Sequence, residues 1–249
     1  MCKILFETKK GEKGKGSGFF CKIDKFPIKY ALFTNNHVLD ESNIEIGNII
    51  HFEYLEFQKS LLNSSYKSSK KEIKITQNRK VFTNKELDFT CIELFESDGI
   101  IDYFQINPKI FEDKNSLKDN DIFVLQFPNG NDISFSYGKI LKIKDIIIMH
   151  SASNNHGSSG SPIIRRGEGN YIIGLHYGGF ENKYNVATIF DSILNNIKEQ
   201  LNEINCIYVP KENQKEINSL HDYNKDLNNW IENSKKVYLE VKDMNKKLF

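Results

Sequence analysis

Gly157-Ser158-Ser159-Gly160-Ser161-Pro162 sets a serine between two glycines and runs through a proline into the apolar pair Ile163-Ile164. Glycine reaches backbone conformations closed to other residues. With Gly157 two residues before Ser159 and Gly160 just after it, the loop can turn sharply. It can then aim the amides of Gly157 and Ser159 at one point, which is the geometry of an oxyanion hole. Serine is also common in ordinary Gly-rich turns, so the loop needs partners elsewhere in the chain.

A hydroxyl is a weak nucleophile unless a base lies within hydrogen-bond reach and a third group orients that base. Histidine serves as such a base near neutral pH. A buried carboxylate fixes its tautomer and stabilises the imidazolium. Two segments supply these groups. Phe33-Thr34-Asn35-Asn36-His37-Val38 ends an apolar run, and Glu86-Leu87-Asp88-Phe89-Thr90-Cys91-Ile92 opens another. Each is ordinary when taken singly: a lone His after a strand is usually structural, and an Asp before a strand is usually a turn residue. Together they give one candidate per role, in the order His37, Asp88, Ser159.

Around these segments the first ~200 residues read as short strands broken by turns. Ser17–Ile23, Tyr30–Thr34, Ile44–Phe57, Glu72–Ile75 and Phe89–Leu94 form one set. Phe95–Lys118 is irregular and reads as a linker. Ile122–Gln126, Ile133–Tyr137, Lys139–Ile143, Ile146–Met149, Pro162–Ile164 and Tyr171–His176 form a second set, with turns at Pro128-Asn129-Gly130 and Gly167-Glu168-Gly169. Strands this short and this evenly spaced suggest sandwiches or barrels, and two sets suggest two barrels. Asp191–Ile204 then places Ile193, Leu194, Ile197, Leu201 and Ile204 at helical spacing. Beyond Pro210, residues 211–249 contain neither Pro nor Gly. They carry apolar residues at Ile217, Leu220, Leu227, Ile231, Tyr238, Val241 and Leu248. That stripe reads as a long amphipathic helix, either packed on the barrels or offered to a partner protein, with disorder as the remaining alternative.

The chain has 249 residues, 34 Lys+Arg against 33 Asp+Glu, and a formal charge of +1. It is 39% hydrophobic and 27% charged, which excludes collagenous and wholly disordered chains. Near-neutral charge gives no reason to expect nucleic acid or a membrane surface as partner. No 18-residue apolar run spans a bilayer, and the opening residues do not read as a secretory signal. Cys2, Cys21, Cys91 and Cys206 are too sparse for a disulfide framework. The expectation is a reduced, cytoplasmic protein. His51, His150 and His221 show no metal-ligand spacing and no phosphate loop is present, so neither metal nor cofactor is expected.

With these residues in view, the chain resembles the trypsin-like serine proteases of the chymotrypsin fold. Thr34-Asn35-Asn36-His37 sits where that family has T-A-x-H. Leu87-Asp88-Phe89 resembles its Asp segment, and Gly157–Pro162 matches G-x-S-G-(G/S)-P. Gly16-Ser17-Gly18-Phe19, Phe127-Pro128-Asn129-Gly130 and Tyr137-Gly138-Lys139-Ile140 resemble further strands of the family. The resemblance covers roughly residues 16–197. It implies an all-β fold of two six-stranded antiparallel barrels with a C-terminal helix and helical tail. The N-terminal barrel, 1–100, would carry His37 and Asp88. The C-terminal barrel, 115–190, would carry Ser159 and the primary specificity pocket, with helices over 191–249. It further implies a serine endopeptidase acting on peptides or proteins through an acyl-enzyme. His37 would be base, Asp88 its orienting acid and Ser159 the nucleophile, with the amides of Gly157 and Ser159 as oxyanion hole. The competing reading is a catalytically silent protease-fold module that binds peptides or a partner.

Val38 replaces the Cys that follows the catalytic His in digestive enzymes. Ser158 replaces the Asp that pairs with a new N-terminus on zymogen activation, so that switch is not expected. The pattern is nearer to the glutamyl endopeptidases and high-temperature-requirement-like proteases. Gly174-Leu175-His176-Tyr177-Gly178-Gly179 resembles the strand lining the primary pocket of glutamyl endopeptidases. Ser153 sits where trypsins carry a selecting Asp. The resemblance thus implies that His176 and Ser153 read a Glu or Gln at P1, the residue before the cut, with a small or apolar P1 as second choice. For His176 the alternative is a core position facing away from the pocket. Tyr177 and Gly178 are placed to pair with substrate backbone. His156, three residues before Ser159, either rims the pocket or is solvated.

Overall fold

The computed structural model describes residues 1–7, 11–24, 26–59, 64–106, 111–167, 171–180 and 184–207. The amphipathic stripe over 211–249 lies outside them, as does most of the Gly167-Glu168-Gly169 turn. The N-terminal half forms one sheet. Its strands are β1 (Cys2–Glu7), β2 (Lys13–Lys22), β3 (Tyr30–Thr34), β4 (Ile49–Lys59), β5 (Ser64–Lys74), β6 (Val81–Asn84), β7 (Phe89–Glu93) and β8 (Phe104–Gln105). The order is β5-β4-β1-β2-β3-β7-β6, with β8 parallel to β2 at the side. The expected first barrel is therefore not six-stranded and not closed: β5 and β6 remain edges.

Arg79 stands beside the open seam. It lies between β5 and β6, where closure would need ladder bonds. Its guanidinium donates to the carbonyls of Lys74 at 3.1 Å and Glu93 at 2.6 Å, at the ends of β5 and β7. It also holds the Asp98 carboxylate through two bonds of 2.8 and 2.9 Å and stacks on Phe95. Both charged groups are almost fully buried. A planar fork of this kind ties the ends of β5 and β7 together and binds Asp98 through two of its N–H groups.

The C-terminal half is a closed six-stranded barrel, as the second set of strands implies. It comprises β9 (Asp121–Gln126), β10 (Ser134–Lys144), β11 (Ile147–His150), β12 (Pro162–Arg165), β13 (Ile172–Phe180) and β14 (Tyr184–Ile189). They close in the order β10-β11-β14-β13-β12-β9. Strand β9 shows why such segments form strands: Ile122, Val124 and Gln126 are buried and alternate with more exposed neighbours, the two-residue period of a sheet with one face inward. The helix α1 (Phe190–Ile207) follows. The expected linker over 95–118 contains two short 3-10 turns and β8 among its described residues.

Cys2, Ile4, Phe20, Leu32, Val38, Leu39, Ile50, Phe52 and Tyr54 belong to the N-terminal core. Phe19, Phe33 and Phe190 form a buried aromatic trio with centroids 4.8–5.9 Å apart. It ties β2 and β3 to the start of α1. Burying each such ring stabilises the fold by about 1.5–3 kcal/mol. Both sheets lie within one compact unit, Met1–Lys198. Cys2, Cys21 and Cys91 are buried free thiols, and burial pushes all three pKa values up. No helix among the described residues is long and apolar enough to cross a membrane.

Candidate active site

His37 stands just past the end of β3. Val38 and Leu39, the next two residues, are sunk into the core at 2% and 1% exposure. Their amides return to the Asn35 carbonyl at 3.2 and 3.1 Å. The backbone at His37 is thus pinned on both sides while its ring remains about half exposed.

Asp88 ends the turn between β6 and β7 in the left-handed region, with φ +48°. That conformation is uncommon for a residue with a side chain, although Asp tolerates it better than most. Three hydrogen bonds hold it. Asn35 Nδ2 donates to the Asp88 carbonyl at 2.8 Å. Thr188 Oγ1 donates to the Leu87 carbonyl at 2.9 Å. The Leu87 amide donates to Asn84 Oδ1 at 2.9 Å. In this posture both carboxylate oxygens serve one residue. Oδ1 accepts the His37 backbone N–H at 3.0 Å, and Oδ2 lies 2.7 Å from His37 Nδ1. A carboxylate only accepts, so Nδ1 carries the proton and Nε2 presents a lone pair.

Ser159 comes from the closed barrel but is anchored on the open sheet. The Ser17 amide on β2 donates to the Ser159 carbonyl at 2.8 Å. Ser17 Oγ donates to the Gly157 carbonyl at 2.8 Å and accepts from the Phe127 amide at 3.2 Å. Thr34 Oγ1, three residues before His37, donates to the Ser17 carbonyl at 2.8 Å. Gly160 has φ +86°, and a β-carbon there would run into the Ser17 carbonyl and come 2.5 Å from Thr34 Oγ1. The residue after Ser159 therefore packs directly against the strands that deliver His37. Strand β13 holds the other side: the Gly160 amide donates to the His176 carbonyl at 3.0 Å, and the His176 amide to the Ser161 carbonyl at 2.9 Å.

Gly157 has φ +85°, and a β-carbon there would lie 2.7 Å from the Phe127 carbonyl. The preceding carbonyl, that of His156, accepts from the Asn129 amide. In a trans peptide the C=O and the next N–H point opposite ways, so the Gly157 N–H faces away from Asn129. Among the described residues neither it nor the Ser159 N–H has an acceptor.

His176 is 2% exposed. Burial, His150 and His37 push its pKa down to about 3, so the ring is neutral at pH 7. Ser153 is exposed, and Tyr177 and Gly178 are half-buried. Tyr177 lies at a register shift between β13 and β14, where a bulge can re-aim a side chain. Its hydroxyl pKa is raised by burial and by the Asp88 charge. A β-carbon on Gly178 would meet open space. His156 is exposed. Among the described residues no group of three or more His, Cys, Asp or Glu could hold a metal ion.

Sequence reasoning missed the work of Ser17, Asn154 and Gln126. Ser17 was visible only as part of Gly16-Ser17-Gly18-Phe19. Asn154 Nδ2 lies 3.2 Å from His176 Nδ1, and Gln126 Nε2 donates to the Ser153 carbonyl at 3.1 Å. Nothing in the spacing of these two residues marks them.

Known proteins resemble this chain in sequence or in fold. Over 71 residues the chain is 37% identical to a glutamyl endopeptidase of Staphylococcus aureus strain MRSA252; the match covers 28% of this chain and 19% of that protein. Counterparts from other strains of the species match similarly, at 36% over 70 residues. Among solved structures, Deg5 superposes with a TM-score of 0.54 at 16% identity, covering 78% of this chain and 85% of that one. A serine endoprotease from Yersinia pestis gives 0.52 at 15%, covering 80% and 62%. At such identities the structures speak for the fold alone. The family described as "Trypsin-like peptidase domain" matches residues 16–175, from β2 through the Gly157–Pro162 loop into β13, and the chain belongs to that family.

Proposed function

We propose that the protein is a serine endopeptidase in which His37, Asp88 and Ser159 form the catalytic triad. The observation that carries this reading is the pairing of both Asp88 oxygens with His37, which leaves Nε2 as the free base. In the proposed cycle His37 takes the Ser159 proton as Oγ attacks the peptide carbonyl. It returns that proton to the leaving amine, and water then hydrolyses the acyl-enzyme. The unpaired amides of Gly157 and Ser159 receive the oxyanion; such donors act best when preorganised. The peptide lies along β13, with Tyr177 and Gly178 offering backbone to it, and its P1 side chain enters between Ser153 and His176. No acidic group stands at Ser153 to hold a basic P1, which supports Glu or Gln there.

A fluorophosphonate probe tests the reading directly. The expected result is a single mass adduct on Ser159, absent from Ser159→Ala. A folded protein that stays unlabelled would instead be a silent peptide-binding module.

A further inference from the structure

The turn between β6 and β7 has no core of its own. Lys85 and Glu86 are exposed, and Leu87 and Asp88 are half-buried. Burial therefore does not set its shape, yet it holds Asp88 at φ +48°. A residue with a side chain keeps such a value only where its surroundings impose it. The turn borrows its anchors from other elements. Thr188 on β14 of the closed barrel is 1% exposed and donates from Oγ1 to the Leu87 carbonyl at 2.9 Å. Asn84 Nδ2 donates to Asn196 Oδ1 on α1 at 3.2 Å, which leaves Asn84 Oδ1 to accept the Leu87 amide.

The geometry of the peptide unit shows what the Thr188 bond does. The Leu87 carbonyl and the Asp88 amide share one rigid plane. Rotation about the Asp88 N–Cα bond, which is φ, swings that plane against the Asp88 side chain. On the other side of Asp88 the backbone is already fixed. Phe89 opens β7 paired with Asn84, and Asn35 Nδ2 holds the Asp88 carbonyl at 2.8 Å, which sets ψ. The direction of the Leu87 carbonyl then sets φ, and Thr188 is the donor that fixes that direction. Its own place is rigid. It pairs with Ile147 of β11 on one side and Leu175 of β13 on the other, and a β-branched side chain has little rotamer freedom.

We propose that Thr188 is a positioning residue: through the Leu87 carbonyl it holds Asp88 in the left-handed posture that turns both carboxylate oxygens to His37. This rests on the protease reading above and deepens it. The grip between the two sheets is then mutual. Ser17 of the open sheet holds the loop of Ser159, and Thr188 of the closed barrel holds the turn of Asp88. Without the hydroxyl the Leu87 carbonyl turns toward another donor and φ relaxes to negative values. The carboxylate then leaves the His37 amide and Nδ1, whose bonds it now accepts.

Thr188→Val in the full chain removes the donor and keeps the shape. Its kcat is expected to fall at least about fivefold with KM within about twofold. Thr188→Ser restores the hydroxyl, and its kcat should stay within about fivefold of the unchanged chain. Proton NMR reads the posture without turnover. The Nδ1 proton of His37, held by a carboxylate, resonates far downfield and is assigned by its loss in His37→Gln. It should move upfield or vanish in Thr188→Val and stay in place in Thr188→Ser. A folded Thr188→Val with that resonance unmoved, with a smaller fall in kcat, or with the loss carried by KM overturns the inference. So does a folded Thr188→Ser with a larger fall or a shifted resonance, an arm that stands even where Thr188→Val does not fold. An unchanged chain without turnover would sink the protease reading alone, and the resonance would still decide whether Thr188 sets the aim of Asp88.

Discussion

The two sheets solve the same problem differently. The C-terminal strands close into a barrel and leave no edge. The N-terminal strands stop short of closing between β5 and β6, and Arg79, paired with Asp98, ties the ends of β5 and β7 instead. Closure gives every strand of the C-terminal set two neighbours, whereas the open sheet leaves β5 and β6 with one each. The proposed base and acid sit on the open sheet, and the proposed nucleophile and pocket belong to the closed one. The contrast teaches that the site depends on how firmly the open sheet grips a loop of the closed one.

The largest effect should come from the His37–Asp88 pair on the open sheet. Asp88→Asn keeps the shape but puts an NH2 where one carboxylate oxygen was, favouring the wrong His37 tautomer. A fall of about 10^4 in kcat is expected, with unchanged circular dichroism. A fall under tenfold would remove Asp88 from the mechanism.

Gly160→Ala attacks the grip itself. A left-handed non-glycine residue costs about 1–3 kcal/mol, and overpacking against Ser17 and Thr34 adds about 1–3 kcal/mol. Urea unfolding should show that loss together with loss of activity. A stable, active Gly160→Ala would mean that the sheets are not locked here.

Acid sharpens the comparison on the closed side. The pKa of His150 is lowered to about 4 and that of His176 to about 3 by burial. An unfolded chain binds their protons near pH 6.5, so the stability from keeping them neutral is present above pH 6.5. It is lost as pH falls toward 4 and then 3, at up to about 1.4 kcal/mol per pH unit for each ring. Urea titrations from pH 7.5 to 4.5 should show that decline, and His150→Phe should make it shallower.

Ser17→Ala is the mildest probe. It removes two side-chain bonds to the loop, at Gly157 and Phe127, but leaves the backbone bond to Ser159. A stability loss of about 1–3 kcal/mol and a fall mainly in kcat are expected. A rise in KM alone would place Ser17 with substrate binding instead.

Legibility followed the chemistry of each segment. His37, Asp88 and Ser159 stood out because each sits in a short motif with its own physical reason. Strands such as β3 and β9 were readable from apolar content and alternation. Strand β5, SSYKSSKKEIK, was read only at its last few residues, since serines and lysines give no burial signal. What makes it a strand is pairing along all 11 residues with β4. Strands β1 (CKILFE), β6 (VFTN) and β14 (YNVATI) escaped notice because each mixes polar residues into a short apolar run. The open seam was invisible for a different reason: whether the outer strands of a set meet depends on pairing between segments far apart in the chain, which strand counting does not reveal. Asn154 and Gln126 were hidden likewise, because an amide's role depends on what its far end meets.

The three sulfhydryls under the open sheet give the molecule a built-in gauge. Cys2, Cys21 and Cys91 lie on β1, β2 and β7 and are sealed from solvent. No cysteine occurs between residues 92 and 205, so the closed barrel has none. An alkylating reagent can reach these sulfurs only when that half breathes, and labelling rates would time the breathing of one half against the silence of the other.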